Sequence, residues 1–154
     1  MRRRKLFKYL LALVVVLGMQ ANLWARHANT INSVALQEDV ILQWNRVLME
    51  TVSTPGQQPA TIMPVRSYAM MHAAMFDAVN SIEGKYTPYL TDARGSKHAS
   101  IEAAAAQAAH DVLAALYPTR IAIFDAELAI SLTGIDENRL QQGIRIGQSV
   151  AERL

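Results

Sequence analysis

The chain has 154 residues, no cysteine, and a formal net charge of +2. Length places it at one domain of ordinary size. The missing cysteines exclude disulfides, thiolate metal sites and thiol catalysis.

The first 25 residues, MRRRKLFKYLLALVVVLGMQANLWA, read as an export signal. Arg2, Arg3, Arg4, Lys5 and Lys8 make a basic start. Tyr9 to Met19 make a short apolar core, and Ala21 and Ala25 are small residues suited to cleavage. The apolar run is shorter than the ~20 residues of a membrane-spanning helix. An uncleaved anchor is the alternative, because Leu23 and Trp24 leave the cleavage region imperfect. Arg3-Arg4-Lys5-Leu6-Phe7-Lys8 is similar to a twin-arginine signal with Leu and Phe exchanged, but the strongly apolar core favours the ordinary export route. The expected location is periplasmic or extracellular. From Arg26 onward ten Lys and Arg face thirteen Asp and Glu, a net of −3, so the basic balance belongs to the leader. No basic patch points to nucleic acid.

Arg26 to Ser33 is polar, and 26–35 is expected to be a flexible lead-in, followed by a helical domain over 36–154. The spacing predicts a first helix over 36–52, with Leu36, Val40, Trp44, Val47, Leu48 and Thr51 on one face. Trp44 reads as a core anchor whose indole N–H needs one acceptor. Arg46 and Glu50, four apart, can pair. Pro55-Gly56 marks a turn within the loop 53–63.

The segment 64–84, PVRSYAMMHAAMFDAVNSIEG, reads as the helix around which the chain is organised. Pro64 suits a first turn and Gly84 a left-handed end. At 100° per residue Val65, Tyr68, His72, Met75, Phe76, Val79 and Ile82 form a broad apolar face. Arg66, Asp77, Asn80 and Ser81 lie opposite. His72 carries two readings: a core histidine with one or two hydrogen bonds, or a ligand. No His or Cys stands three or four residues away to complete a helical metal pair. Asp77 and Asn80 read as groups that cap or pair with a neighbouring segment rather than as acid and base.

Residues 85–99 read as an irregular link with a polar tip, whose aromatic residues fold back over the helix end. Ser100 suits the N-cap of a helix over 101–116, with Glu102 in its first turn. The stripe Ile101, Ala105, Ala108, Val112 and Leu116 is expected to pack, and the alanine run should let another helix approach closely. Gln107 and His110 fall off that stripe, and His110 reads as partly exposed and structural. Tyr117-Pro118 breaks the helix. Thr119 is expected to cap the next, with Ile121, Phe124, Leu128 and Leu132 inward and Gly134 at its end. Asp136 is expected to cap a last helix with Leu140, Ile144, Gly147, Val150, Ala151 and Leu154 on one side. Gly143 and Gly147 predict a close helix contact. The pattern stops at Leu154 without end signals, which reads as an interruption in mid-helix. The architecture expected is all-α, a bundle of about five helices.

No phosphate loop, HExxH motif or nucleophile elbow is present, and His27, His72, His98 and His110 are not spaced as a cluster. DVILQWNRVLMETV, then HAAMFDAVN, Tyr86-Thr87-Pro88-Tyr89 and AAHDVLAALYP follow one another in order. Together they resemble the N-terminal helical region of bacterial vanadium-dependent haloperoxidase-related proteins, in the type 2 phosphatidic acid phosphatase superfamily, over most of Val40 to Leu154. The resemblance implies a helical enzyme that holds vanadate, or phosphate in its phosphatase branch. Lys and Arg side chains, a Ser-Gly-His segment and a later Arg and His would grip the oxyanion, and guanidinium and backbone N–H groups suit that task. Those motifs lie downstream of the region matched, so no catalytic, cofactor-binding or metal-binding residue carries over to this sequence. The expectation is a scaffold portion, inactive alone, whose partner is the missing catalytic portion or a partner helix. An autonomous helical binding module and a portion of a membrane-associated acid phosphatase relative are the alternatives.

Overall fold

The computed structural model of the protein describes residues 39–57, 62–91 and 94–154. The segments expected to form an export signal and a lead-in, and Leu36 with them, lie outside the described residues. Five α-helices follow one another: α1 (Val40–Ser53), α2 (Met63–Glu83), α3 (Ile101–Leu116), α4 (Ile121–Ser131) and α5 (Glu137–Ala151), with a 3₁₀ turn at Pro118–Arg120. The described residues contain no strand, so the all-α expectation holds. No helix among them is long and apolar enough to cross a membrane.

The polar end signals act as the sequence implies. Asp39 accepts from the Ile41 N–H at 2.8 Å and starts α1 at Val40, four residues later than expected. Ser100 Oγ accepts from Ala103 N–H and Asp136 Oδ1 from Asn138 and Arg139 N–H, opening α3 and α5. Gly84, at φ +64°, closes α2 in the left-handed region that favours glycine. Thr119 does not cap α4. It lies inside the 3₁₀ turn, and its hydroxyl donates to Gln57 instead, while Arg120 precedes α4 without a side-chain cap.

The organising helix is α3, not α2. It packs against all four other helices, and its residues from Ala103 to Ala109 are buried almost all round. The expected stripe was therefore too narrow, because thin side chains admit neighbours on every side. Trp44 and Leu48 from α1, Met71 and Met75 from α2, Leu113 from α3, Phe124 from α4 and Val150 from α5 fill the space around it. On α4 Phe124 is buried as expected, but Ile121 is largely exposed.

The buried arc of α2 is also rotated from the expected one. Ser67, Met71, Ala74, Asp77, Ala78 and Asn80 face inward, while Val65 is 70% and Phe76 40% exposed. The helix meets α3 with its small residues, and Tyr117 reaches across from the end of α3 to donate to Ser67 Oγ at 2.7 Å.

The tightest contact is that of α5 on α3. A Cβ at Gly147 would stand 2.6 Å from the Ala104 carbonyl oxygen and 2.7 Å from Gln107 Cβ; one at Gly143 would stand 2.6 Å from the Ser100 carbonyl oxygen. Backbone lies against backbone there, as the glycine spacing predicts. In an open helix Gly→Ala stabilises by about 1 kcal/mol. Here Gly147→Ala should instead destabilise by about 1–3 kcal/mol, because the α3 backbone cannot give way. Urea unfolding reads the sign directly, and a stabilised variant would contradict the contact.

Candidate functional site

Charged and polar side chains gather where α1, α3 and α4 meet. His110 leaves α3 toward α4 with its side chain only 12% exposed. Its Nδ1 lies 2.7 Å from Asp111 Oδ1 and its Nε2 2.8 Å from Asp125 Oδ1. Gln107 donates to the same Asp111 oxygen at 2.8 Å. The Trp44 indole meets the imidazole edge-on, with centroids 6.3 Å apart. Trp44 donates its N–H to Ser131 Oγ at 3.2 Å, the single acceptor the sequence called for. Ser131 in turn bonds Gln43, and Gln43 donates to Glu127, which also pairs with Arg46. Arg46 reaches Glu50 at 3.3 Å, the expected i,i+4 pair.

Chemically this is a clamp. Two carboxylate oxygens can both be satisfied only by an imidazolium, since a neutral ring has one N–H. The bond to Asp111 raises the His110 pKa above its usual value, burial opposes it, and Asp125 adds to the rise. No ring nitrogen is left to activate a hydroxyl or water, so the cluster is not a nucleophile–base pair. His110 is more enclosed than expected. Its first partner is the very next residue, and the second comes from the following helix.

A raised histidine pKa contributes stability that is fully present below the unfolded value of about 6.5 and is lost as pH rises through the folded one. His110→Gln should therefore destabilise by about 1 kcal/mol near pH 5.5, Asp125 being well exposed, and by less near pH 9. Denaturant unfolding at the two pH values checks this. An equal loss at both would mean that the ring is held neutral.

A second set of polar groups sits at the end of α2. The buried Asp77 carboxylate accepts the backbone N–H groups of Tyr89, Leu90 and Thr91 at 2.7, 2.7 and 2.8 Å. Asn80 takes both the N–H and the carbonyl of Tyr86. The two residues pair with a neighbouring segment, as expected, and the Tyr86 ring turns back to Phe76 at 6.2 Å. Asp77→Asn exchanges one carboxylate oxygen for a donor facing N–H groups. It should cost about 2–3 kcal/mol and strip hydrogen-exchange protection from residues 89–91 while leaving α4 protected. Retained protection there would show that the carboxylate does not hold the segment.

His72 is half-buried, with its Nε2 3.2 Å from Asn45 Oδ1, and it stacks on Tyr68. No group of three or more His, Asp or Glu suited to a metal occurs among the described residues.

Cations meet at another place. A cleft of about 320 Å³ opens between the 94–96 segment and α5, lined by Arg94, Ser96, Gln142, Arg145, Ile146 and Ser149. A second, of about 460 Å³, shares Arg94 and adds Lys97 and Glu83. Nothing in the sequence marks Arg94 and Arg145 as companions, because 51 residues separate them. The only local signal is the spacing of Gln142, Arg145, Ile146 and Ser149 on one face of α5.

No protein-family model, curated protein or solved structure matches the chain. His110 has both ring nitrogens engaged, and no histidine lines the cleft where the two guanidinium groups stand.

Proposed function

We propose that this chain is the exported scaffold portion of a haloperoxidase-like protein, presenting a face of α1 and α2 to the segment that carries the oxyanion-binding groups. The observation behind it is an apolar strip on an otherwise packed helix. Ile62, Val65, Ala69 and Phe76 recur at intervals of three, four and seven on one side of α2, and all four are exposed. On α1 Leu42 and Met49 are more than half exposed. The His72–Asn45 bond joins these two sides, since Leu42 and Met49 stand three and four residues from Asn45 and Phe76 four from His72. The strips therefore flank a single seam. Contiguous exposed apolar surface of this kind marks interaction sites. The resemblance supplies the identity of the partner: in the family it implies, the oxyanion-binding motifs lie downstream of the region matched here.

The reading predicts that the full chain oxidises no bromide with vanadate and peroxide. It also predicts that the frame following the Leu154 codon encodes the Ser-Gly-His and Arg-Pro motifs. The encoded segment, produced separately, should bind the chain. Val65→Ser with Phe76→Ser should weaken that binding by about tenfold while changing stability by less than about 0.5 kcal/mol each. Bromide turnover by the chain alone, or a downstream frame without those motifs, would overturn it.

A second reading, an autonomous interaction module, is favoured by one observation: α3 packs against all four other helices, and α1, α3 and α5 are capped by side chains. A sharp melt, coincident by circular dichroism and tryptophan fluorescence, supports it. A broad melt with dye binding supports the incomplete enzyme.

A further inference from the structure

We infer that the outer face of α4 is the contact surface of a homodimer, in which two copies of the chain pack α4 against α4 antiparallel, about a two-fold axis at Ala126. The apolar residues of α4 are spread around the helix rather than gathered on one side, and the chain's own packing uses little of them: of its apolar side chains Phe124 alone is fully buried. At 100° per residue Ala122, Ile123, Ala126, Ala129 and Ile130 fall within an arc of about 120°. All five are exposed, Ile130 by 62% and Ile123 by 43%, and none is polar. The outer face of α5, by contrast, carries Glu137, Arg139, Gln141, Arg145 and Gln148. A helix that is apolar all round ordinarily has neighbours all round.

The order of large and small residues points to a second copy as the occupant. In an antiparallel pair centred on Ala126, positions equally far from Ala126 on its two sides stand opposite each other. Ala122 then faces the partner's Ile130, Ile123 faces the partner's Ala129, and Ala126 faces its own equivalent. Each isoleucine meets an alanine, so large fits against small along the whole contact. A parallel pair would set isoleucine on isoleucine and alanine on alanine. Antiparallel packing also sets the positive end of each helix dipole beside the negative end of the other. The carboxylates that flank the face bring no bare charge to it: Asp125 Oδ1 lies 2.8 Å from His110 Nε2, and Glu127 Oε2 lies 3.6 Å from Arg46 Nη2. Helices of 11 residues are three turns long. Such a pair covers roughly 400–600 Å² on each copy, roughly 800–1,200 Å² in all, which is the range of transient complexes. The dimer should therefore depend on concentration, with a Kd on the order of 10 μM.

Sedimentation velocity of the full chain from about 1 to about 200 μM reads the assembly, and a shift from one copy to two is expected across that range. Ala126→Glu sets two carboxylates face to face on the axis and should weaken association by about tenfold or more with an unchanged melting temperature. Val65→Ser with Phe76→Ser, which tests the α1–α2 seam, should leave the dimer as it is. Because the chain has no cysteine, introduced thiols can read the register. Ala126→Cys should cross-link to itself under mild oxidation, and Ala122→Cys should cross-link to Ile130→Cys when the two variants are mixed, but not to itself. A single copy at every concentration, association undiminished by Ala126→Glu, or self-cross-linking of Ala122→Cys overturns the assignment. So does a chain that stays monomeric while the separately produced downstream segment protects the α4 amides from hydrogen exchange, since that segment would then be the occupant.

Discussion

The seating of α5 on α3 is the constraint from which the rest follows. Gly143 and Gly147 bring one helix backbone to the carbonyl groups of Ser100 and Ala104. That closeness requires an alanine-rich partner, and α3 supplies it. A helix of thin side chains cannot fill a core by itself, so volume must come from around it. Trp44, Met71, Met75, Phe124 and Val150 provide that volume from the four other helices. Polar side chains project from the margins of this packing. His110 stands where α1, α3 and α4 converge, and Arg145 stands on the outer side of α5.

Polar groups near this interior are fastened rather than free. The Asp77 carboxylate spends its acceptor capacity on three N–H groups of one segment, and Asn80 uses both ends of its amide on Tyr86. Such bonds to a buried charge are strong because the alternative is an unsolvated carboxylate. They convert an irregular stretch into a wall that ends beside α5. The segment carrying Arg94 follows soon after, and its position depends on that wall and on the Gly95–Ser81 bond. Among the described residues two buried side-chain polar atoms are left without a partner, Thr91 Oγ1 and Arg120 Nε. Thr91 is the last residue held by Asp77, so fixing its backbone there leaves its hydroxyl unsatisfied.

What the sequence made legible was chiefly local. Ser100, Asp136 and Gly84 act within a turn of themselves, so type and position suffice to read them. The Gly143 and Gly147 pair was legible because two glycines a turn apart, facing an alanine run, have few other uses. The inward side of α2 was not. Counting large apolar residues pointed to Val65 and Phe76, yet contact with a thin helix rewards small residues, so Ser67, Ala74 and Ala78 turned in. Asp77 and Asn80 turned in with them because their partners lie up to 14 residues on, in a loop without periodicity. For His110 half the signal was available: Asp111 is adjacent, but Asp125 becomes a partner only when α4 folds back. The Arg94 and Arg145 cleft has no local sequence signature.

These placements bear on what kind of function the described residues can perform. General acid–base work needs a titrating group with one side open to a substrate. His110 has neither nitrogen open, and Asp77 is spent on backbone. His72 offers one nitrogen to Asn45 and lies beside exposed apolar side chains, a setting for packing more than for proton transfer. Binding needs less: a surface that loses water favourably, or unneutralised charge at a fixed position. The proposed α1–α2 seam meets the first requirement, and the cleft beside α5 brings two exposed cations, Arg94 and Arg145, to one place. Both depend on α2, which carries the apolar strip on its outer side and the anchor of the 94–96 segment at its last turn. A helix whose inner side is committed to α3 can hold both features in place, which is what the proposed scaffold reading asks of it.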